Sequence, residues 1–518
     1  PVGGVVVSDG VEVAVTDASG HYELVSKKQK GYVFVSIPSG YKVATRDANT
    51  PDFYKYTTQP AGTLETLDFT LLQDTDQSTF KCIVIGDIQV NNLSNGDDIR
   101  QFNDVFIPDF NNFRAAHSSE KMFILTLGDL SWNDYWADHH FNLDDYKAMF
   151  DAAISGIQVF NTPGNHDNDR GTDGVFPQTN DECKAKYRSL FGPSNYSFNV
   201  GAYHFIVLDN VECYNLGQQD GTKNRGTMSY HYRIPDEQLE WVAKDLEYVA
   251  PSTPLIISGH CPFYRYNGTE RLENGTTGRL VALLGGRRTH LLSGHTHYVY
   301  NVDHLSELNV FEHNAGGLAG SCTHANNFAM SPNGAPCGYK VFDIDGTNLS
   351  WLYKGYRLTE EDQFRVYDRN EACLASADWI PSCTSEDARL AWETRVSWYL
   401  EPRDDNYLVI NVFDYDPAWT VEAFEGSTPL VVEKVATTSG YEAERRDPLY
   451  MAAFEAPNYF NKNKTDAGSF RAVSDSHMFR VQASSASSTV TIRVTNRFGR
   501  VFTKVIERNT AIPVSKSQ

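Results

Sequence analysis

Gly164-Asn165-His166-Asp167, just after the β-rich run Gln158 to Asn161, is the stretch on which the reading of this chain turns. Four more motifs of the same kind lie outward from it in a fixed order. Gly86-Asp87-Ile88-Gln89 and Gly128-Asp129-Leu130 precede it; Gly259-His260 and Gly294-His295-Thr296-His297 follow it. Each begins with Gly, and most directly follow a run with the composition of a buried strand. A single Gly-Asp or Gly-His pair is a turn signal. Five in order, supplying Asp, Gln, Asp, Asn, His, His and His, make a metal site with donors enough for two adjacent divalent ions.

The surrounding pattern fits that placement. From about 79 to 356, short β-rich runs alternate with helical stretches. The runs are Cys82 to Ile85, Met122 to Leu127, Gln158 to Asn161, Phe205 to Leu208, Leu255 to Ile257 and His290 to Leu292. Helices are predicted over Asp98 to His117 and Pro235 to Tyr248; in the second, Leu239, Val242 and Leu246 share one face. Such alternation implies a layered α/β domain, whose ligands gather at the carboxyl ends of the strands. Asp87, Asp129, Asn165, His260 and His295 all fall there. Residues 1 to about 77 read as a small β-sandwich, with strand runs at Val5 to Val7, Val11 to Val15 and Tyr32 to Ile37. From about 361 to the end the chain is again β-rich: Tyr407 to Phe413, Trp419 to Phe424, Leu430 to Val435, Ser488 to Thr495 and Val501 to Ile506, with a hairpin turn at Asn496-Arg-Phe-Gly499. The expected domains are 1–77, 78–360 and 361–518.

At 518 residues, 41% hydrophobic and 21% charged, the composition is that of a soluble globular protein. No apolar run is long enough to span a membrane. The net charge of −21 argues against nucleic-acid or anionic-membrane binding, which needs a basic footprint. It also means that an anionic substrate must be drawn by a local positive site. The chain starts at Pro1 within a strand pattern, so a processed amino terminus is expected. None of the eight cysteines forms a Cys-x-x-Cys pair; Cys322/Cys337 and Cys373/Cys383 are spaced to close loops as candidate disulfides in an oxidising compartment.

Two metals that share one phosphate lie roughly 3.5–4 Å apart, and a carboxylate can bridge them. Asp129 is placed as the bridge. Asp87, Gln89 and His297 complete the first ion's ligands, and Asn165, His260 and His295 the second's. The Gly before each ligand is expected to let the backbone turn sharply. The site points to hydrolysis of a phosphate ester by metal-activated water, with a small phosphorylated molecule as substrate. His166, next to a ligand, is assigned to protonating the leaving oxygen or stabilising the transition state. Its catalytic partner is one of Asn133, Asp134 and Asp167. Trp132 and Tyr264 are candidate pocket walls, and Arg170 and Arg265 candidate phosphate contacts.

These motifs resemble the calcineurin-like metallophosphoesterase superfamily over about residues 79 to 356. Val5-Val-Val-Ser-Asp-Gly10 and Thr16-Asp-Ala-Ser-Gly-His-Tyr-Glu-Leu24 look like the transthyretin-like or carboxypeptidase-regulatory-like first domain of bacterial three-domain phosphoesterases, here lacking its first strand. Asp447-Pro-Leu-Tyr450, His477-Met-Phe-Arg480 and Val494-Thr-Asn-Arg-Phe-Gly499 resemble their last domain. The resemblance implies a four-layer α/β/β/α catalytic sandwich between two β-sandwich-like domains. It implies two ions drawn from manganese, iron or zinc, and a secreted or periplasmic bacterial protein. Gln89 stands where the superfamily commonly has His, which favours a weaker first site or one suited to manganese or magnesium. The competing readings are a small phosphodiesterase acting on cyclic nucleotides or other diesters, and a non-enzymatic surface binding protein with a residual metal site.

Overall fold

The computed structural model describes residues 1–171, 178–218, 226–266, 271–320, 330–436, 440–468, 471–474, 477–506 and 508. Contacts divide the chain into two compact units. Residues 1–296, 302–321 and 339–351 form the first; 297–301, 322–338 and 352–518 form the second.

Two sheets form the centre of the first unit. One runs in the order Val159–Phe160, Met122–Thr126, Thr79–Ile85, Gly338–Asp345, Asn348–Gly355. Its first three strands are parallel. The other runs Tyr196–Val200, Tyr203–Val207, Leu255–Ser258, Thr289–Ser293, Val310–Ala315, Val299–His304, with four parallel strands at its centre. The sheets meet face to face through aromatic rings. Phe160 stacks on Phe198 at 3.9 Å, and Phe123 meets Phe205 edge-on at 5.5 Å.

A helical layer covers each outer face. Phe102, Phe106, Phe110 and Phe113 recur at helical spacing across Gln101–Phe106, wound as a π-helix, and the α-helix Ile107–Ala116. The last three surround the ring of Tyr339 on the first sheet at 5.7–6.0 Å. On the other side, the helix Asp236–Leu246 buries Leu239, Trp241, Val242 and Leu246. Its Asp245 accepts hydrogen bonds from Ser197 Oγ at 2.8 Å and meets His204 Nε2 at 2.8 Å. The result is the four-layer α/β/β/α sandwich, with each predicted strand run present and its ends moved by a few residues. Among the described residues, no helix is long and apolar enough to cross a membrane.

The amino-terminal strands Val13–Val15, Val6–Ser8, Tyr32–Val35 and Tyr54–Tyr56 form an antiparallel sheet within the first unit. Phe34 packs edge-on to Trp241 at 6.2 Å, and Trp241 Nε1 donates to Ser8 Oγ at 3.0 Å. This sheet therefore shares the apolar core of the layers it adjoins.

The second unit holds two four-stranded antiparallel sheets. One is Phe364–Asp368, Tyr407–Val412, Met478–Gln482, Val432–Lys434; the other is Thr428–Leu430, Thr420–Glu425, Val490–Thr495, Val501–Ile506. Leu408, Ile410, Val412 and Val481 of the first share a core with Ala423, Ile492, Val494 and Phe502 of the second. The β-sandwich is thus present, and the expected hairpin turn closes with Asn496 Oδ1 accepting from Phe498 and Arg500 N–H. A helical cluster that the β-rich pattern did not announce adds a second core around Trp392, Tyr399, Leu449 and Phe460. Its helices, such as Glu386–Arg395, are too short for a strong periodic signal.

The expected Cys373–Cys383 disulfide is corrected by the structure. Both are thiols; Cys373 Sγ donates to Leu400 O and Cys383 Sγ to Ser385 O, each at 3.4 Å, so the sulfurs serve separate carbonyls. The other candidate pair, Cys322/Cys337, includes Cys322, which lies outside the described residues.

Candidate metal centre

Asp87 lies two residues past Ile85, Asp129 three past Thr126, Asn165 five past Phe160, His260 two past Ser258 and His295 two past Ser293. Parallel strands bring these ends to one edge of the double sheet. His260 sits at the focus. Its Nε2 is 2.9 Å from Asn165 Oδ1, 3.2 Å from His295 Nδ1 and 3.3 Å from Asp129 Oδ2. Its Nδ1–H donates to the Leu127 carbonyl at 2.8 Å, so the Nε2 lone pair turns inward. Asp87 receives the His295 N–H on both carboxylate oxygens, at 3.0 and 2.8 Å. Carboxylate oxygens of Asp87 and Asp129 lie within 4.8 Å of each other, as do ligand atoms of His260, Cys261 and His295. His297 opens a segment of the second unit, partly buried and with φ of 63°.

This donor set fits divalent cations. Acceptor atoms of two carboxylates, an amide and two imidazoles converge in a buried place, which is costly without positive charge among them. Gln89 adds an orphan: its Nε2 donates to Asp129 Oδ2 at 2.8 Å, while its buried Oε1 has no hydrogen-bond partner among the described residues. A hard cation is the partner that such an oxygen accepts. The electrostatics agree. Burial works against a charged His260, yet the Asp129 carboxylate holds it up at about 9. Burial likewise opposes ionisation of Asp129, and the imidazoles of His260, His166 and His295 more than offset it, lowering its pKa. Burial and the Asp129 charge raise neighbouring Asp167 to about 7.

The glycines work differently from the sharp-turn expectation. Of the five that open the motifs, only Gly128 has positive φ, 85°. Four of the candidate ligands themselves take the left-handed region: Asp87 at 40°, Gln89 at 43°, Asp129 at 50° and His295 at 68°. Such strain in non-glycine residues is characteristic of functional sites. Glycine is needed because the loops nearly touch. A Cβ on Gly164 would lie 2.1 Å from Asp129 N, and one on Gly294 2.6 Å from Asp87 Oδ2.

His166 stands beside the ligands. Its N–H donates to Asp129 Oδ1 at 2.8 Å, and its Nδ1 meets Asn133 Oδ1 at 2.8 Å. Asn133 is held in turn through Nδ2 to Asn168 O at 2.8 Å. The partner left open by the sequence is therefore the amide Asn133. Burial lowers the His166 pKa. Asp134 instead pairs with Arg170 and accepts from Trp132 Nε1 at 3.2 Å. Arg170 also donates to Gly226 O at 3.0 Å. Asp167 fixes loops: its carboxylate accepts the N–H groups of Leu130 at 2.8 Å, Ser131 at 3.3 Å and Gly164 at 2.8 Å. The Trp132 ring lies 5.4 Å from that of His166. Tyr264 is buried with its ring 4.6 Å from His304, and Arg265 is exposed on a short hairpin.

Several residues of the site escaped sequence reasoning. Asn210 Oδ1 accepts the N–H groups of His260 and Cys261, each at 2.9 Å, and its Nδ2 donates to Cys261 O at 2.7 Å. It falls just past the strand Tyr203–Val207, where the strand-end rule points. Tyr232, on the strand Gly226–Tyr232, places its ring 5.0 Å from His295. Glu312 accepts from Phe263 N and Tyr264 N at 2.9 Å each and from Ser293 Oγ at 2.5 Å, tying the His260 loop to the strand before His295. Glu312→Ala leaves two buried N–H groups unpaired, so it is expected to lower stability by about 3 kcal/mol in urea unfolding. A change under about 0.5 kcal/mol, the usual surface value, would contradict that role.

Residues 80–299 match the family model described as calcineurin-like phosphoesterase. Residues 1–74 match that for the N terminal of calcineurin-like phosphoesterase, and 312–502 that for its C terminal. No curated protein matches the chain. Among solved structures it is similar to a purple acid phosphatase from yellow lupin (Lupinus luteus) seeds, 15% identical, over 66% of this chain and 56% of that one, with a TM-score of 0.37. It is also similar to a putative 5′-nucleotidase from Staphylococcus aureus, 12% identical, over 68% and 75% of the two chains, with a TM-score of 0.34.

Proposed function

Because this chain belongs to the calcineurin-like phosphoesterase family, and so is a metal-dependent hydrolase of phosphoric esters, we propose that it works through two divalent ions with His166 as the acid. The observation that carries this is the focus at His260 Nε2, where Asp129, Asn165 and His295 converge while His166 hangs on Asp129 from the side. Asp129 would be shared by the two ions; Asp87, Gln89 and His297 would hold one, and Asn165, His260 and His295 the other. His297 enters by chain geometry, since two residues span at most about 7 Å from His295. The orphan Gln89 oxygen suits manganese, iron or magnesium on its side, and the imidazoles suit zinc on the other.

When bound, such a pair supplies Lewis acidity and makes water a nucleophile at neutral pH. The chain's own residues do the rest. Asn133 Oδ1 accepts the His166 Nδ1–H, so that the Nε2–H of the doubly protonated ring is free to pass its proton to the leaving oxygen, leaving the neutral Nδ1–H ring. Asp167 and Asn210 clamp the loops of Asp129 and His260, so the ligand positions are set before substrate arrives. Trp132 and Tyr232 flank the site as walls for a small phosphorylated substrate. The division into 1–77, 78–360 and 361–518 and an exported, periplasmic or cell-surface location belong to the same proposal. They are supported by the motifs that flank the catalytic region.

The test is hydrolysis of an aryl phosphate monoester and the matching diester. Chelation is expected to abolish turnover of the preferred ester, and manganese to restore it. The ratio of the two rates separates a monoesterase from the diesterase alternative. Activity that survives exhaustive chelation would overturn the metal mechanism.

A further inference from the structure

In the second unit, a cavity of ≈ 480 Å³ is lined by Arg395, Arg446 and Arg471 together with Glu442 and Asp466. Its charges do not pair off internally. Among the described residues, Arg395 is the one guanidinium of the lining with a carboxylate partner: it meets both oxygens of buried Glu455 and donates to Ala472 O at 3.2 Å. The two acids of the lining serve their own turns. Glu442 accepts the Gly440 N–H at 2.9 Å, and Asp466 accepts the Gly468 N–H at 2.6 Å. Arg446 is partly buried, and among the described residues its side chain makes one hydrogen bond, from Nη1 to the Arg395 carbonyl at 3.1 Å. Arg471 is exposed at the rim.

A guanidinium taken from water without a carboxylate, beside a second guanidinium, is unfavourable unless an anion joins it. Burial, and then the Arg395 charge, pull Arg446 down to about 10 although the Glu455 and Glu442 charges oppose them, so the nearby acids fall short of what this guanidinium needs. The adjacent Arg445 shows it too: it is 4% exposed, and its Nε and Nη1 have no hydrogen-bond partner.

We propose that this cavity is a binding site for a small oxyanion, a phosphate or carboxylate group, held by the forked N–H groups of Arg446 and Arg471 against Arg395. Guanidinium matches both kinds of group in bidentate fashion. The cavity is of the size that encloses a small polar molecule bearing such a group. The site stands apart from the ligand set described above and does not depend on how that set performs hydrolysis.

Calorimetric titration of inorganic phosphate, and separately of acetate, into the metal-loaded full chain tests it. Phosphate is expected to fill two sites in the unaltered chain and one in Arg446→Gln, with metal content and ester hydrolysis unchanged. Arg471→Gln, at an exposed position, is expected to weaken the same site by at least about tenfold. It decides the matter if Arg446→Gln fails to fold. Acetate binding that disappears in the same variants would mark the site as general for carboxylates; phosphate binding alone would restrict it to phosphate. Stoichiometry and affinity for both ions that are the same in the unaltered chain, Arg446→Gln and Arg471→Gln would overturn the proposal.

Discussion

His166→Ala is expected to lower turnover of an aryl phosphate ester by at least about a hundredfold, the usual scale for an acid catalyst, while metal content stays at that of the unaltered chain. The geometry separates the two effects. The His166 link to the ligand set is its backbone N–H on Asp129 Oδ1, which an alanine keeps. Its imidazole is held by Asn133 Oδ1, which is no part of the proposed ligand set. Removing the ring therefore takes away a proton donor and leaves the ligands in place. The loss is expected to be greatest for esters with poor leaving groups, because a good leaving group needs little protonation. Asn133→Ala is expected to reproduce part of the effect by freeing the ring. Steady-state kinetics alongside metal analysis checks this. Unchanged turnover in His166→Ala would remove the acid role, and loss of metal would make the residue structural.

Asp129→Ala is expected to be more damaging. The variant should retain fewer than two metal equivalents and lose at least about a thousandfold in turnover, the upper range for removing one electrostatic element of a site. Asp129 touches most of the site at once. Its Oδ2 receives Gln89 Nε2 and lies 3.3 Å from His260 Nε2, and its Oδ1 receives the His166 N–H. Truncation removes the negative charge that the proposed pair of cations would share and releases both neighbours. Asp129→Asn keeps the shape and loses the charge, so a similar loss of metal there would assign the effect to electrostatics. Two full metal equivalents in Asp129→Ala would refute the bridging assignment.

The two largest expected effects thus fall on residues that were visible in the sequence, and the reason is local. A candidate ligand at the end of a parallel strand is announced by the strand run before it and by the Gly beside it. Asp87, Asp129, Asn165, His260 and His295 could be found that way, and with them the layered α/β class. Leu239, Val242 and Leu246 revealed the helix at 235–248 for the same reason: their spacing lies within a few turns of chain.

What supports the ligands was not local. Asn210 contacts His260 across 50 residues, Glu312 contacts Phe263 across 49, and Asn133 contacts His166 across 33. Nothing in their neighbourhoods marks an Asn or Glu as a clamp, since such residues are common in solvated turns. The choice of Asn133 over Asp134 as the His166 partner depended on which of two adjacent side chains Arg170 would occupy. The same holds for the glycines. That Gly precedes Asp87, Asp129, Asn165, His260 and His295 is plain from the chain alone. The reason lies in the fold: loops from different strands approach so closely that a Cβ has no room, while Asp87, Gln89, Asp129 and His295 take the strained backbone themselves.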